Sequence, residues 1–123
     1  MNYFIVSYLD DYVHSIITTM SISLAFLNVG DYNIILIDWR DAANHSYLMS
    51  VRSVPLVSQR VAFLINFLKN NANLDPNKTV IIGHSLGAHI ASLSARFATS
   101  KIAEVIGKSA TRFQFYLVIL ILN

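Results

Sequence analysis

Five residues in the middle of the chain, Gly83-His84-Ser85-Leu86-Gly87, fit the pattern G-x-S-x-G. Their neighbours give the pattern its meaning. Thr79-Val80-Ile81-Ile82 in front reads as a buried strand, and a helix of small residues over 88–98 follows. A serine on a sharp strand-to-helix turn is the arrangement of a nucleophile elbow, whose chemistry is acyl transfer. Residues two before and two after such a serine come close together, and a Cβ on either would clash, which accounts for Gly83 and Gly87. The turn is too sharp for relaxed backbone and throws Ser85 Oγ clear of the sheet. The helix behind it points free N–H groups and the positive end of its dipole at the serine, so the amide of Leu86 is expected as an oxyanion donor. Gly87, Ala88, Ala91, Ser92 and Ala95 are expected to give that helix a thin face toward the sheet. The competing use of the five residues is a Gly-Ser turn with no chemistry.

A serine nucleophile needs a base, and the chain has four histidines. His84 adjoins Ser85, so on an elbow its side chain points away and cannot reach Oγ as a base must. His89 reads as a packed or capping residue. His14 and His45 fall on predicted loops. The absence of cysteine excludes disulfides, thiolate-bound zinc, iron–sulfur clusters and a thiol nucleophile. No metal and no cofactor are expected.

The elements that must position the serine follow from hydrophobic patterning. Residues 3–7 read as a short strand. Residues 33–39, after the turn signal Gly30-Asp31, form a continuous apolar run suited to a strand buried on both faces of a parallel sheet. Over 53–70, Val54, Val57, Val61, Leu64, Ile65 and Leu68 recur at helical spacing, with Ser53 placed to cap and Pro55 in the first turn. Asp75-Pro76-Asn77 is a turn, and 103–106 one more strand. This alternation predicts an α/β fold with a parallel sheet and right-handed crossovers.

With 123 residues, 54% apolar and 13% charged, the chain has the size of one domain and enough apolar residues to bury a core. Its net charge of +2 comes from basic residues spread along the chain, which argues against nucleic acid. Residues 12–30 lack Asp, Glu, Lys and Arg but carry seven Ser, Thr, His or Asn positions, a poor membrane helix. The apolar stretch 113–122 is too short to cross a bilayer. No integral membrane span is expected, and the N-terminus has no basic region typical of a signal peptide. Two glycosylation sequons occur, Asn44-His45-Ser46 and Asn77-Lys78-Thr79, both in predicted loops.

The run Ile81-Ile82-Gly83-His84-Ser85-Leu86-Gly87-Ala88-His89, with Asp38-Trp39-Arg40-Asp41 and the helix containing Val54-Pro55 before it, resembles the pancreatic lipase family, which includes the secreted neutral triglyceride lipases and the phospholipases A1. The similarity covers residues 25–107. It implies the central part of an α/β-hydrolase with flanking helices, a secreted location, a lipid ester substrate or lipid interface, and Ser85 as nucleophile. It also implies a second oxyanion amide from the aromatic that follows a His-Gly pair, which in this chain is Tyr8, with Val6-Ser7 in place of His-Gly.

The chain departs from the family after the elbow. Where the family has its acid, in Gly-Leu-Asp-Pro-Ala, this chain reads Gly107-Lys108-Ser109-Ala110, and it has no Asp or Glu beyond Glu104 and no His beyond His89. Asp38 belongs on the wrong side of the serine strand and reads as a buried, hydrogen-bonded carboxylate. The division expected is a partial hydrolase core over 1–107 and an apolar tail over 108–123 without family counterpart. The 123 residues are expected to be inactive alone. Two other readings stay open: a non-catalytic lipid- or partner-binding protein on a hydrolase scaffold, and a truncated gene product.

Overall fold

The computed structural model describes residues 2–7, 12–43, 46–111 and 114–120. In chain order the main elements are β1 (Asn2–Ser7), α1 (Tyr12–Val29), β2 (Tyr32–Ile37), α2 (Arg40–Ala43), α3 (Tyr47–Asn71), a 3₁₀ turn (Pro76–Lys78), β3 (Thr79–His84), α4 (Leu86–Phe97), β4 (Glu104–Thr111) and β5 (Gln114–Leu120). The strands form one sheet in the order β2-β1-β3-β4-β5. The first four are parallel, and β5 runs antiparallel to β4. The chain is thus an α/β protein with a mostly parallel sheet and flanking helices.

Parallel neighbours cannot be joined by a hairpin, so each pair needs a crossover. β1 to β2 steps one way across the sheet, while β2 to β3 and β3 to β4 step the other. With right-handed crossovers, α1 covers one face and α3 and α4 share the opposite one. Burial follows this division. Along β3, Thr79, Ile81 and Gly83 are buried while Val80, Ile82 and His84 are only half-buried. The core lies under α3 and α4, where Val54, Val57, Val61 and Ile65 of α3 meet Leu86, Ile90, Ala91 and Ala95 of α4 above Ile81 and Val105. The thin face expected of α4 is present, with Ser94 in the buried set instead of Ser92; its hydroxyl donates to the Ile90 carbonyl at 2.6 Å.

Several sequence expectations need correction. β2 is an edge strand, with Leu36 exposed, and is not buried on both faces. Residues 12–29, with no helical period to reveal them, form the crossover helix α1, so His14 is helical and not in a loop. The end of α1 is pinned to β2 by an edge-to-face contact between Phe26 and Tyr32, ring centroids 6.0 Å apart. The helix expected over 53–70 starts at Tyr47, which puts Pro55 in its interior and takes Ser53 away from the cap. Ser53 Oγ bonds back to the Met49 carbonyl at 3.1 Å. Among the described residues, α3 alone is long and apolar enough to cross a membrane. Its buried residues Val54, Val57, Val61 and Ile65 pack into the core cluster instead. β4 runs from Glu104 to Thr111 and β5 from Gln114 to Leu120.

Candidate active site

The elbow is built by a backbone conflict. β3 ends at His84 and α4 begins at Leu86, leaving Ser85 as the single residue between them. Ser85 has φ 55° and ψ −123°, a positive-φ conformation that costs a side-chain-bearing residue about 1–3 kcal/mol. Chain reversal this sharp folds the start of α4 back on the end of β3. A Cβ on Gly83 would stand 2.0 Å from the Gly87 carbonyl oxygen and 2.7 Å from the Ala88 nitrogen. Those are backbone atoms that cannot swing aside, so only glycine fits at 83.

Ser85 is also the N-cap residue of α4, yet its hydroxyl makes no capping bond to the helix. Its carbonyl accepts from the Ala88 amide at 3.0 Å. The Leu86 amide, the first of α4, has no acceptor within the helix. A half-buried serine whose hydroxyl makes no capping bond therefore sits beside first-turn N–H groups at the positive end of a 12-residue helix. That arrangement suits attack on a carbonyl whose oxygen becomes negative.

The other candidates fall around this turn as the sheet dictates. His84 precedes Ser85 on β3, and strand alternation sends it to the sheet face opposite Gly83. His89 is exposed in the first turn of α4 and is not packed. Tyr8, His45 and Asn44 lie outside the described residues. β4 runs beside β3 with Lys108 level with His84, so Ser109 follows just past the elbow on the side away from β1. No group of three or more metal-ligating side chains occurs among the described residues.

Asp38 lies beyond the end of β2, and β1 separates β2 from β3. It is hydrogen-bonded as expected but exposed, not buried. Arg40 Nε donates to Asp38 Oδ1 at 2.7 Å, Arg40 Nη2 pairs with Oδ2, and the Arg40 amide donates to Oδ1 at 3.1 Å. The Arg40 side chain holds the carboxyl below its ordinary value of 3.8, outweighing the opposing effect of desolvation. Sequence reasoning missed an open cleft of about 410 Å³ at this corner, between Trp39 and Leu56, Val57, Arg60 and Leu64 of α3. It lies at the carboxyl ends of the strands, as does the elbow, but no elbow residue lines it.

Fold and turn together define a class: an α/β protein that carries a serine on a strand–turn–helix elbow. Comparison with known proteins narrows it. A family model described as Lipase matches residues 3–117, and the chain belongs to the Lipase family. It is 35% identical over 83 residues to a pancreatic triacylglycerol lipase of Cavia porcellus, an alignment covering 68% of this chain and 18% of that lipase. To a hepatic triacylglycerol lipase of Oryctolagus cuniculus it is 36% identical over 69 residues, covering 56% of this chain and 14% of the relative. To a hepatic triacylglycerol lipase of Bos taurus it is 31% identical over 94 residues, covering 76% and 18%. The chain thus spans less than a fifth of the length of these relatives.

Proposed function

We propose that these residues are the central part of an α/β-hydrolase acting on carboxylic esters of lipids, with Ser85 as the nucleophile. The supporting observation is the geometry of the turn, in a chain of the Lipase family: Ser85 at φ 55° and ψ −123°, with Gly83 packed against the Gly87 carbonyl. Ser85 Oγ attacks the ester carbonyl carbon, the carbonyl oxygen takes the negative charge, and the Leu86 amide donates to it. Tyr8 supplies the second amide in this reading. Triacylglycerol is the preferred substrate, after the names of the relatives; a phospholipid attacked at its sn-1 ester is the variant. An extracellular location belongs to the same reading.

The 123 residues hold the nucleophile half of such a site. They contain no carboxylate after Glu104 and no histidine after His89. In model serine proteases, loss of the acid alone costs about 10⁴ in turnover and loss of the base about 10⁶. An oxyanion hole with bare binding retains about 10³–10⁴ over water.

The test is fluorophosphonate labelling of the chain beside Ser85→Ala, with hydrolysis of emulsified triacylglycerol measured in parallel. Slow labelling confined to the wild type is expected, with turnover at least about 10⁴ below that of a lipase carrying acid and base. A chain that unfolds cooperatively and is never labelled agrees with the missing acid and base, whereas labelling that persists in Ser85→Ala overturns Ser85 as the nucleophile. Turnover matching a complete lipase overturns the missing acid and base.

A further inference from the structure

We infer that Asn77 is an N-glycosylation site, modified before β3 joins the sheet, and that its glycan stands at the amino ends of the strands, the end of the sheet opposite Ser85. The inference rests on the extracellular location proposed above.

The sequon Asn77-Lys78-Thr79 occupies the 3₁₀ turn and the first residue of β3. Its two working side chains meet opposite fates in the fold. Asn77 is exposed, and its backbone amide donates to Asp75 Oδ1 at 3.0 Å. Thr79 is completely buried, and its hydroxyl donates to the Asp75 carbonyl at 2.8 Å. The turn is further closed by the Lys78 amide on the Asp75 carbonyl at 3.0 Å and the Ala103 amide on the Pro76 carbonyl at 2.9 Å.

A sequon is recognised through the hydroxyl two residues after the asparagine. In the finished fold that hydroxyl is covered and its proton committed. Transfer therefore belongs to the chain before β3 pairs with β1 and β4. A lipid-diphosphate-linked oligosaccharide, the co-reactant of the secretory pathway, provides the sugar. Asn77 Nδ2 forms a bond to the anomeric carbon, the bond from that carbon to the diphosphate oxygen breaks with its electron pair leaving on the diphosphate, and Nδ2 gives up one proton.

The fold can then carry the product. The glycan leaves from an exposed side chain. The six residues of β3 put roughly 20 Å between its root and the elbow. A bulky polar group at the amino ends of the strands stays in water when the carboxyl ends, with Ser85, meet a lipid surface.

The experiment is cell-free translation of the full chain, with a cleavable leader added, in the presence of endoplasmic reticulum vesicles, using Asn44→Gln so that only one sequon remains. The expected result is a protease-protected chain shifted by one glycan. Removal by a peptide N-glycosidase, which hydrolyses the Cγ–Nδ2 bond of Asn77, should reverse the shift and turn that asparagine into aspartate, and adding Asn77→Gln should abolish it. Vesicles added after the chain has been released and folded should give no shift. A protected Asn44→Gln chain without a glycan overturns the site, and efficient modification of the prefolded chain overturns the timing. Because the leader is supplied, the outcome at Asn77 does not depend on the location reading, so failure of one is distinguishable from failure of the other.

Discussion

At the scale of single residues, Ser85 holds a conformation that its own side chain disfavours, and the surrounding backbone enforces it. Replacing it with glycine and with alanine separates strain from chemistry. Both remove the hydroxyl, but only glycine relaxes the positive φ. Ser85→Gly should therefore be more stable than Ser85→Ala by about 1–2 kcal/mol in urea unfolding, the strain relieved less the extra chain entropy of glycine. Equal stabilities would show that the turn stores no strain. Asp38 makes a smaller and pH-dependent contribution. Its pKa is depressed in the folded protein, so the stabilisation is present above the ordinary value of 3.8 and is lost as pH falls through the lower folded value. Because the pair is exposed, Asp38→Asn should cost only about 0.5 kcal/mol near neutral pH, and the cost should vanish in acid. A cost that persists in acid would assign Asp38 a role other than its ion pair with Arg40.

At the scale of elements, the seam between α3 and α4 carries the core. Ile90 is 0% exposed and sits where both helices meet the sheet, so Ile90→Ala should destabilise by about 3 kcal/mol. Phe63, 68% exposed on the outer side of α3, should change stability by less than about 0.5 kcal/mol when made alanine. Comparable losses at the two sites would mean that the layers pack differently from this description. The same elements show what the sequence could and could not convey. β3, the tight backbone at Gly83 and the buried stripe of α3 are legible because each is local: a run, a spacing or a period. The start of α3 was not. Ser53 and Pro55 together look like a helix beginning, yet Ser50 Oγ bonds the Ala43 carbonyl at 3.0 Å and ties the first turns to α2. A contact between elements thus overrides a local signal. Pro55 is tolerated inside the helix because it lies on the exposed side, where the carbonyl it leaves unpaired can turn to water. α1 was hidden because its polar and apolar residues follow no helical period. Exposure was illegible too. Asp38 at a strand end reads as buried only if β2 is interior, and the sheet order makes β2 an edge.

At the scale of the whole molecule, the two layers are unequal. The α3–α4 side encloses the core, while α1 leaves Met20, Leu24 and Leu27 more than half exposed, and Leu56 and Phe63 stand one heptad apart on the outside of α3 at 60% and 68% exposure. So much outward apolar surface should make the chain self-associate in dilute buffer. Sedimentation velocity should show mass rising with concentration, and Leu56→Lys with Phe63→Lys should reduce the effect. A single monomeric species at all concentrations would contradict this. Sheet order has a further consequence, which concerns the direction of synthesis. β1 is made before β2 and β3 but lies inside the sheet, between them, and Tyr3 pairs with Thr79. The ribosome must deliver α1, β2 and α3 before the strand that leads into the serine can dock, and β1 has only its β2 edge satisfied until then. Assembly therefore waits on translation, and it is completed from a late segment inward to an early one. That delay exposes open strand edges to association with other nascent chains.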